Sequence, residues 1–449
     1  MSEATSELKP EGAALQRRLG FTDLVAYGLA YIAPIAPLST LGFVWAESNG
    51  LIALTYLVGG LCMLFTANSY AVMTREVRSA GSVYGFAREV LGDFVGFVGG
   101  WLILLDYLLI PAVVYVLIAV ALSQLIPGVD RGVWIVLLVL TTFCINWFGV
   151  KTTSRVNIFS VIAQTAVVAI VLVAALVALF HGQGAGGLSI KPFYNPEQFS
   201  MTAIFAATSI CIMSFLGFDA VSTLAEETKD PTGKTMGRAI LTSLLAATAL
   251  FVCTTWILGS LMQGLVVKDA AAGTYELTAQ RIAPWVAILI AWTYAIVVGF
   301  TNALPMQVGV ARMLFAMSRD RQLPAFMAKV HPKYGTPWVA MALASIVSCV
   351  VALIMRDHLD ELASLVNFGA LLGFLLLHLC VLVRFGLQKR SHNILLHWAA
   401  PLVGMVVVGA VLSGMSKLAI VLGAAWTLVG LVVGIWLAQR RNLSSSAVS

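Results

Sequence analysis

Residues 22–45, TDLVAYGLAYIAPIAPLSTLGFVW, and residues 200–225, SMTAIFAATSICIMSFLGFDAVSTLA, decide how this chain is read. Each is long and apolar enough to cross a bilayer as a helix, for which about twenty residues suffice. Yet the first is interrupted by Pro34 and Pro37, with Gly28 and Gly42 on either side, and the second by Gly217 and Asp219. A spanning helix satisfies its own backbone, so a break raises the free energy unless a neighbour or a ligand takes up the freed groups. Paired interruptions in corresponding spans are the sequence mark of a secondary transporter's binding site.

The rest of the chain agrees with a membrane setting. Hydrophobic residues make up 60% of it and charged residues 11%, and the mean hydropathy is +0.93. No water-soluble surface can be built from that composition, so the chain is an all-α integral membrane protein. Twelve apolar stretches are predicted, at 22–45, 51–73, 92–126, 131–150, 155–180, 200–225, 237–263, 284–316, 337–355, 361–384, 396–415 and 417–437, numbered here spans 1 to 12. The interruptions in spans 1 and 6 fit two five-span halves of inverted orientation with two spans appended. That divides the chain into a tail (1–20), a ten-helix transport core (21–385), two appended helices (386–438) and a second tail (439–449). The first twenty residues lack the order of a cleavable signal peptide, so span 1 is expected to be retained.

Basic residues fix an expected orientation. With the N-terminus inside, the inner segments hold 21 of the 27 Lys and Arg residues, Arg312 counted among them. The outer loops keep six: Arg131, Lys191, Lys268, Arg281, Arg356 and Lys417. Cytoplasmic loops accumulate positive charge, so both termini are expected in the cytoplasm. Between spans, residues 79–91 read as an amphipathic segment, 318–336 as a short inner helix ending at His331-Pro332, and 182–199 as a glycine-rich external loop.

Asp219 is the first candidate for chemistry. A carboxylate in mid-span costs on the order of 2.5–3.5 kcal/mol on insertion scales, and span 6 offers no Lys or Arg to pair with it. A substrate ammonium or a proton would relieve that cost; so would capping of the half-helix that follows Gly217, and the residue could do both. Asp106 in span 3 is a second buried acid. Two separated acids could hold the two ends of a diamine, or one could bind substrate while the other takes a proton; an interhelical hydrogen bond is the structural alternative. Tyr31, Phe215, Phe218, Trp292 and Tyr294 are candidate walls and gates, because aromatic faces attract ammonium groups by roughly 0.5–2 kcal/mol. Ile32, Pro34 and Gly217 stand at the breaks themselves. Glu226, beside Glu227 at the inner end of span 6, is an inner-gate or proton-coupling candidate, and His378 reads as a satisfied core histidine.

Several classes are excluded. The six cysteines fall in apolar stretches without a CxxC pair and read as core thiols rather than a zinc site. Gly233-Lys234-Thr235 lacks the first glycine of a phosphate-binding loop, and no HExxH or GxSxG string occurs. No cofactor, no metal and no nucleic acid is expected, and an enzyme is not.

Four local patterns in order carry a resemblance. They are Gly28-Leu-Ala-Tyr-Ile-Ala-Pro34; Ser79-Ala-Gly-Ser-Val-Tyr84 with Gly96-Phe-Val-Gly-Gly-Trp101; Ser214-Phe-Leu-Gly-Phe-Asp219 with Glu226-Glu227-Thr-Lys-Asp-Pro231; and Ser318-Arg-Asp-Arg-Gln-Leu-Pro324 with Gly335-Thr-Pro337. Over residues 20 to 440 the chain resembles the amino acid–polyamine–organocation transporters, and within them is most similar to the bacterial putrescine importers. The resemblance implies twelve helices, a LeuT-like inverted repeat, a bacterial inner-membrane location, and import of a small organic amine with a proton, or with Na+ in its place. Two departures bear on substrate and coupling. Many amino acid carriers of this family bind the substrate carboxylate on a Gly-Ser-Gly run in span 1, where this chain has Ile32, Ala33 and Pro34, and proline has no amide hydrogen to give. Some relatives carry a coupling lysine in span 5, where this chain reads Asn157-Ile-Phe-Ser-Val-Ile-Ala-Gln164. A cationic or other amino acid permease of the same fold is the alternative.

Overall fold

The structure is a computed structural model in which residues 19–77, 82–148, 154–230, 232–319 and 322–446 are described. Among them, nine helices are long and apolar enough to cross a membrane, and the bent pair Phe21–Ile32 and Ala36–Glu47 makes a tenth span. Two shorter apolar helices, Arg131–Trp147 and Trp338–Ile354, complete twelve. The remaining spans are Ile52–Glu76, Asp93–Leu125, Val156–Phe180, Met201–Ala225, Lys234–Leu261, Pro284–Arg319, Leu359–Gln388, Leu395–Ser413 and Lys417–Gln439. All twelve match the segments expected from hydropathy. The long apolar runs become helices because lipid offers the backbone no partner, so each N–H must bond within its own segment.

Helix starts follow local chemistry. Asp130 caps span 4 by accepting from the Gly132 amide at 2.8 Å, and Ser200 caps span 6 through the Ala203 amide. Pro284 opens span 8, at a position where a missing N–H costs nothing.

Spans 1, 2 and 3 pack against spans 6, 7 and 8 respectively, and this pairing of element n with element n+5 is compatible with an inverted repeat. Span 12 is keyed onto span 3. The Trp101 indole donates to the Trp426 carbonyl and the Trp426 indole to the Trp101 carbonyl, both at 2.9 Å, with the rings stacked 4.7 Å apart. The short helix Ser82–Leu91 lies where an amphipathic segment was expected and carries a buried face of Val83, Phe86, Ala87 and Val90.

The glycine-rich stretch 182–199 is a loop, as expected, and is strapped down: Ala185 donates to the Ser260 carbonyl, and the Pro192 carbonyl accepts from Ala53 and Leu54 at the start of span 2. Two expectations are corrected. Past the end of span 8, the described residues up to 336 form one short 3-10 helix, Ala325–Ala328, which ends before His331, and a turn at 332–334. Cys144 and Cys253 are exposed rather than core thiols. They lie on helix surfaces that face outward, where lipid rather than protein covers them.

Two faces bound the bundle. One, the basic face, carries the connections at 77–92, 228–233, 319–337 and 389–394. There Glu76 at the end of span 2 accepts from Arg384 at 2.7 Å and Lys389 at 2.7 Å. The opposite face carries the connections at 181–200 and 262–283 and the ion pairs Arg131–Asp269 and Arg356–Asp130, each 2.6 Å.

Candidate functional site

The breaks expected in spans 1 and 6 are present, and they meet. Span 1 ends its first helix at Ile32, passes through Ala33 at a φ of 61°, and resumes at Ala36 with a bend of 44°. Pro34 supplies no N–H for the helix to continue, and the Ala33 amide closes the last turn on Leu29. Only residues 33–35 are unwound. Pro37 sits in the first turn of the second helix, where proline is tolerated, while Gly28 and Gly42 are helical and mark close contacts instead. A Cβ on Gly28 would meet Ser243, and one on Gly42 would run into the Ala270 carbonyl.

Span 6 tightens into a 3-10 turn at Ile212–Phe215, opens at Leu216 to Phe218, and continues as a second 3-10 segment, Asp219–Glu227. Gly217 has a φ of 111°, reachable at little cost only without a Cβ.

Buried polar contacts hold the two breaks in place. Tyr294 donates from its hydroxyl to the Ile35 carbonyl at 3.0 Å. On the opposite-face side, Thr40, Tyr56 and Ser214 form a ring of hydroxyls at 2.6, 3.0 and 3.3 Å, tying the second helix of span 1 to spans 2 and 6. Thr274 donates to the Leu38 carbonyl, so the connection at 262–283 seals this end of span 1. At the basic face Lys229 donates to the Leu19 carbonyl at 3.0 Å, joining the other ends of spans 1 and 6.

The two acids are buried and differ in their surroundings. Asp219 accepts from the Gly217 amide at 3.2 Å, a bond that ties its carboxyl back to the break rather than capping the resumed segment, whose first position, Phe218, carries no side-chain cap. Asp106 is 6% exposed, and among the described residues its Oδ1 has no hydrogen-bond partner. It stands one turn before Pro111 in a helix against which Gly369 of span 10 packs closely. Asp106 and Asp219 are near enough for their charges to interact, and both reach Tyr107 and Tyr70. The arrangement is one buried carboxyl group at the break of span 6 and a second, in the continuous helix of span 3, within electrostatic reach of it. Such a group favours a cation or a proton.

The aromatic candidates separate. Tyr31 is half-buried, and its hydroxyl lies 3.2 Å from that of Tyr27, with ring centroids 4.8 Å apart. Phe215 is wholly buried against Tyr56 and Phe251, and Phe218 against Tyr70 and Phe374. They form the walls behind the breaks. Ile32 and Pro34 are buried beside the span 1 break. Trp292 is a correction: it is 51% exposed, in a stripe with Trp285, Ile288, Ile296 and Phe300 on the outer surface of span 8. The three- and four-residue spacing of that stripe is one helical face, and it looks away from the bundle. The side chain of Glu226 lies outside the described residues. His378 is buried and bonded to Ser69 at 2.8 Å.

Sequence reasoning did not single out Tyr27, Tyr70 or Arg312, and weighed Tyr107 only as a neighbour of Asp106. Tyr27 is one helical turn before Tyr31, a spacing that could have flagged it. Tyr70 and Arg312 come from spans without interruptions that mark them. Tyr27, Tyr31, Tyr107 and Gly217 retain some exposure, while Thr274 and Gly42 pack the other end of span 1 tightly against the 262–283 connection.

A family model described as amino acid permease matches residues 23–448. The chain is 31% identical over 425 residues to the low-affinity putrescine importer PlaP of Escherichia coli (strain K12), covering 93% of each chain. It is 32% identical over 457 residues to the branched-chain amino acid permease BcaP of Bacillus subtilis (strain 168), covering 94% of this chain and 92% of that one. It is 26% identical over 426 residues to the methylthioribose transporter of the same Bacillus strain, covering 90% and 88%.

Proposed function

This chain belongs to the amino acid permease family, and from that premise we propose that it imports a small organic amine, putrescine or a similar diamine, across a bacterial inner membrane. It is a multi-pass transporter by its family and its spans. The observation that carries the substrate reading is the unpaired Oδ1 of Asp106 within charge reach of Asp219. A carboxylate kept in an apolar interior without a donor is costly, and an ammonium removes that cost while the carrier is loaded. With Asp219 holding one ammonium and Asp106 the other, the methylene chain lies among Tyr31, Tyr107, Phe215, Phe218 and the Gly217 backbone. Ile32 and Pro34 set the break, and Tyr294 steadies it.

The span 1 break supports an amine over an α-amino acid, since Pro34 has no amide hydrogen for a carboxylate. The putrescine importer among the relatives supports the same choice. Proton coupling follows from the acids: one that loses its ammonium at the inner face is relieved by a proton, which lets the empty carrier return. Asp106, lacking a donor, is the better proton carrier; Glu226 is the candidate further inward. The positive loops support cytoplasmic termini; on that orientation the basic face is the inner one and import runs towards it by alternating access. The transport core is 21–385, with 386–438 as the two appended helices.

One observation favours a second reading, an amino acid permease. Arg312 of span 8 lies within charge reach of Tyr31, and a guanidinium can receive a carboxylate; one relative is a branched-chain amino acid permease. Counterflow in proteoliposomes separates the two. Unlabelled putrescine is expected to compete for labelled putrescine entry, with leucine and lysine without effect. Competition by amino acids alone would establish the second reading. A pH gradient at fixed voltage is expected to drive uptake; a strict Na+ requirement would assign coupling to the carbonyls of the span 1 break instead.

A further inference from the structure

On the face opposite the basic one, the ends of spans 1 and 6 enclose a cleft of about 480 Å³, a volume within the range of small-molecule sites. One wall is the end of the second helix of span 1 and the turn after it, with Trp45, Asn49 and Gly50; the other is the stretch 197–200 at the entry to span 6. Both walls are held. The Gly50 amide donates to the Trp45 carbonyl at 2.9 Å, and Gly50 has a φ of 85° that suits glycine. The Trp45 ring lies against it: a Cβ on Gly50 would stand 3.3 Å from that ring. Opposite, the Asn195 side chain accepts from the Glu197 amide at 3.3 Å and donates to the Gln198 side chain at 2.8 Å. The Pro192 carbonyl accepts from Ala53 and Leu54, which fixes this wall to the residues that follow Gly50. Glu197 is the one charged residue among the described residues that line the cleft, and the arginine–aspartate pairs of this face do not involve it. The helix Ala36–Glu47 ends here and adds the partial negative charge of its last carbonyls. Ser200 accepts from the Ala203 amide at 3.4 Å, which occupies one donor of the facing helix start.

We propose that this cleft is a second binding site, for a small organic ammonium seated between the Trp45 ring and the Glu197 carboxylate. The pairing suits that chemistry. An aromatic face attracts an alkylammonium through its ring electrons, and a carboxylate adds a charge-assisted hydrogen bond. A bare metal cation asks for several oxygen ligands, and the cleft offers a single carboxylate. On the amine reading above, and with this face outward, the cleft is where the substrate first meets the carrier; the site itself requires only an ammonium group. Its walls belong to the two interrupted spans, so an amine captured there stands at the end of the elements that carry the transport site.

The test is fluorine NMR on the full chain labelled with fluorotryptophan, the Trp45 signal being identified by its loss in Trp45→Phe. Putrescine is the probe, titrated against sodium chloride at equal ionic strength. The Trp45 signal is expected to shift saturably with putrescine and not with the salt. In Glu197→Gln the half-saturating concentration should rise about two- to fivefold, the scale of an exposed ion contact. In Asp219→Asn it should hold, because the transport site is separate. A shift that the salt reproduces, or that is indifferent to Glu197→Gln, means that the cleft takes no ammonium and overturns the proposal. A shift that vanishes in Asp219→Asn means that Trp45 reports on the transport site, and overturns it equally. Failure of the amine reading looks different. Putrescine that shifts Trp45 but neither enters nor competes in counterflow leaves the cleft standing and sinks that reading; counterflow without a Trp45 shift does the reverse.

Discussion

Gly217 at the break of span 6 lies against the backbone of Tyr31 at the break of span 1. A Cβ built on Gly217 would stand 2.8 Å from the Tyr31 carbonyl carbon and 2.9 Å from its Cβ and oxygen. The two unwound segments are thus one structural feature. Each removes the side-chain bulk or the hydrogen bond that would keep the other helix at a distance, and the space gained brings Asp219 near the first span. The Leu19–Thr228 bridge at one end and the Thr40–Ser214 contact at the other keep the spans together along their length.

Gly217→Ala should therefore lose transport. The methyl group collides with backbone, which cannot rotate away, and the φ of 111° is strained for any L side chain. Overpacking and a disfavoured backbone each cost about 1–3 kcal/mol. Gly309→Ala is the matched control. Its Cβ meets nothing within 4 Å, and alanine is favoured over glycine in a helix by roughly 0.5–1 kcal/mol. Uptake and thermal midpoint in detergent should both fall for the first variant and hold or rise for the second. Equal behaviour of the two would show that the contact with Tyr31 is not limiting.

The two acids should respond to substitution in opposite senses. Asp106 has an unpartnered buried oxygen, and an unsatisfied buried polar group costs about 1–3 kcal/mol. Asp106→Leu, which keeps the branching at Cγ without the polar oxygens, should raise the thermal midpoint while reducing putrescine uptake by at least about tenfold, the equivalent of 1.4 kcal/mol. Asp219 accepts the Gly217 amide, so Asp219→Ala loses a hydrogen bond worth about 0.5–1.5 kcal/mol. It should lower the midpoint as well as uptake. A destabilised Asp106→Leu would mean that this carboxyl has a partner in the empty carrier.

The fold was legible because each of its twelve spans is a local property of composition. The breaks were legible for the same reason: Pro34 and Gly217 act on their own helices. What brings spans 3 and 8 into the site is tertiary, so Arg312 read as one more inner-loop charge and Tyr107 as a neighbour. Trp292 shows the limit from the other side. Membership of the right span does not say which face a residue occupies, and an apolar span has little amphipathic contrast to reveal it. The absence of a partner for Asp106, and the amide that donates to Asp219, are distances between atoms that the order of residues does not encode.

Asp230, in the turn that follows span 6, accepts from the amides of Thr232 and Thr235, both at 2.8 Å, and from the Thr232 hydroxyl. These donors hold its carboxyl well below the usual carboxylate range. A depressed folded value means that the contribution is complete above the unfolded value, near 3.9 for an aspartate (~3.9), and is lost as the pH falls through the folded one. Asp230→Ala should lower the thermal midpoint by a constant amount between about pH 5 and pH 8, with the gap closing only in stronger acid. A gap that varied across neutral pH would point to a different titrating group.

Tyr294 and Trp292 belong to the same stretch of span 8 but face opposite ways, which makes them a direct test of how span 1 is held open. The Tyr294 hydroxyl donates to the Ile35 carbonyl, at the residue from which the second helix of span 1 resumes. Tyr294→Phe keeps the ring and its packing and removes only that donor, at a cost of about 0.5–1.5 kcal/mol for the bond, since the Ile35 carbonyl still accepts from the Leu38 amide. The break should then relax, and putrescine uptake should fall several-fold with little change in the amount of folded protein. Trp292→Ala removes a much larger side chain, but one that is half exposed on the outer surface, and it should leave the concentration dependence of uptake unchanged. Were Trp292→Ala the more damaging of the two, the outer face of span 8 rather than its contact with the break would control transport.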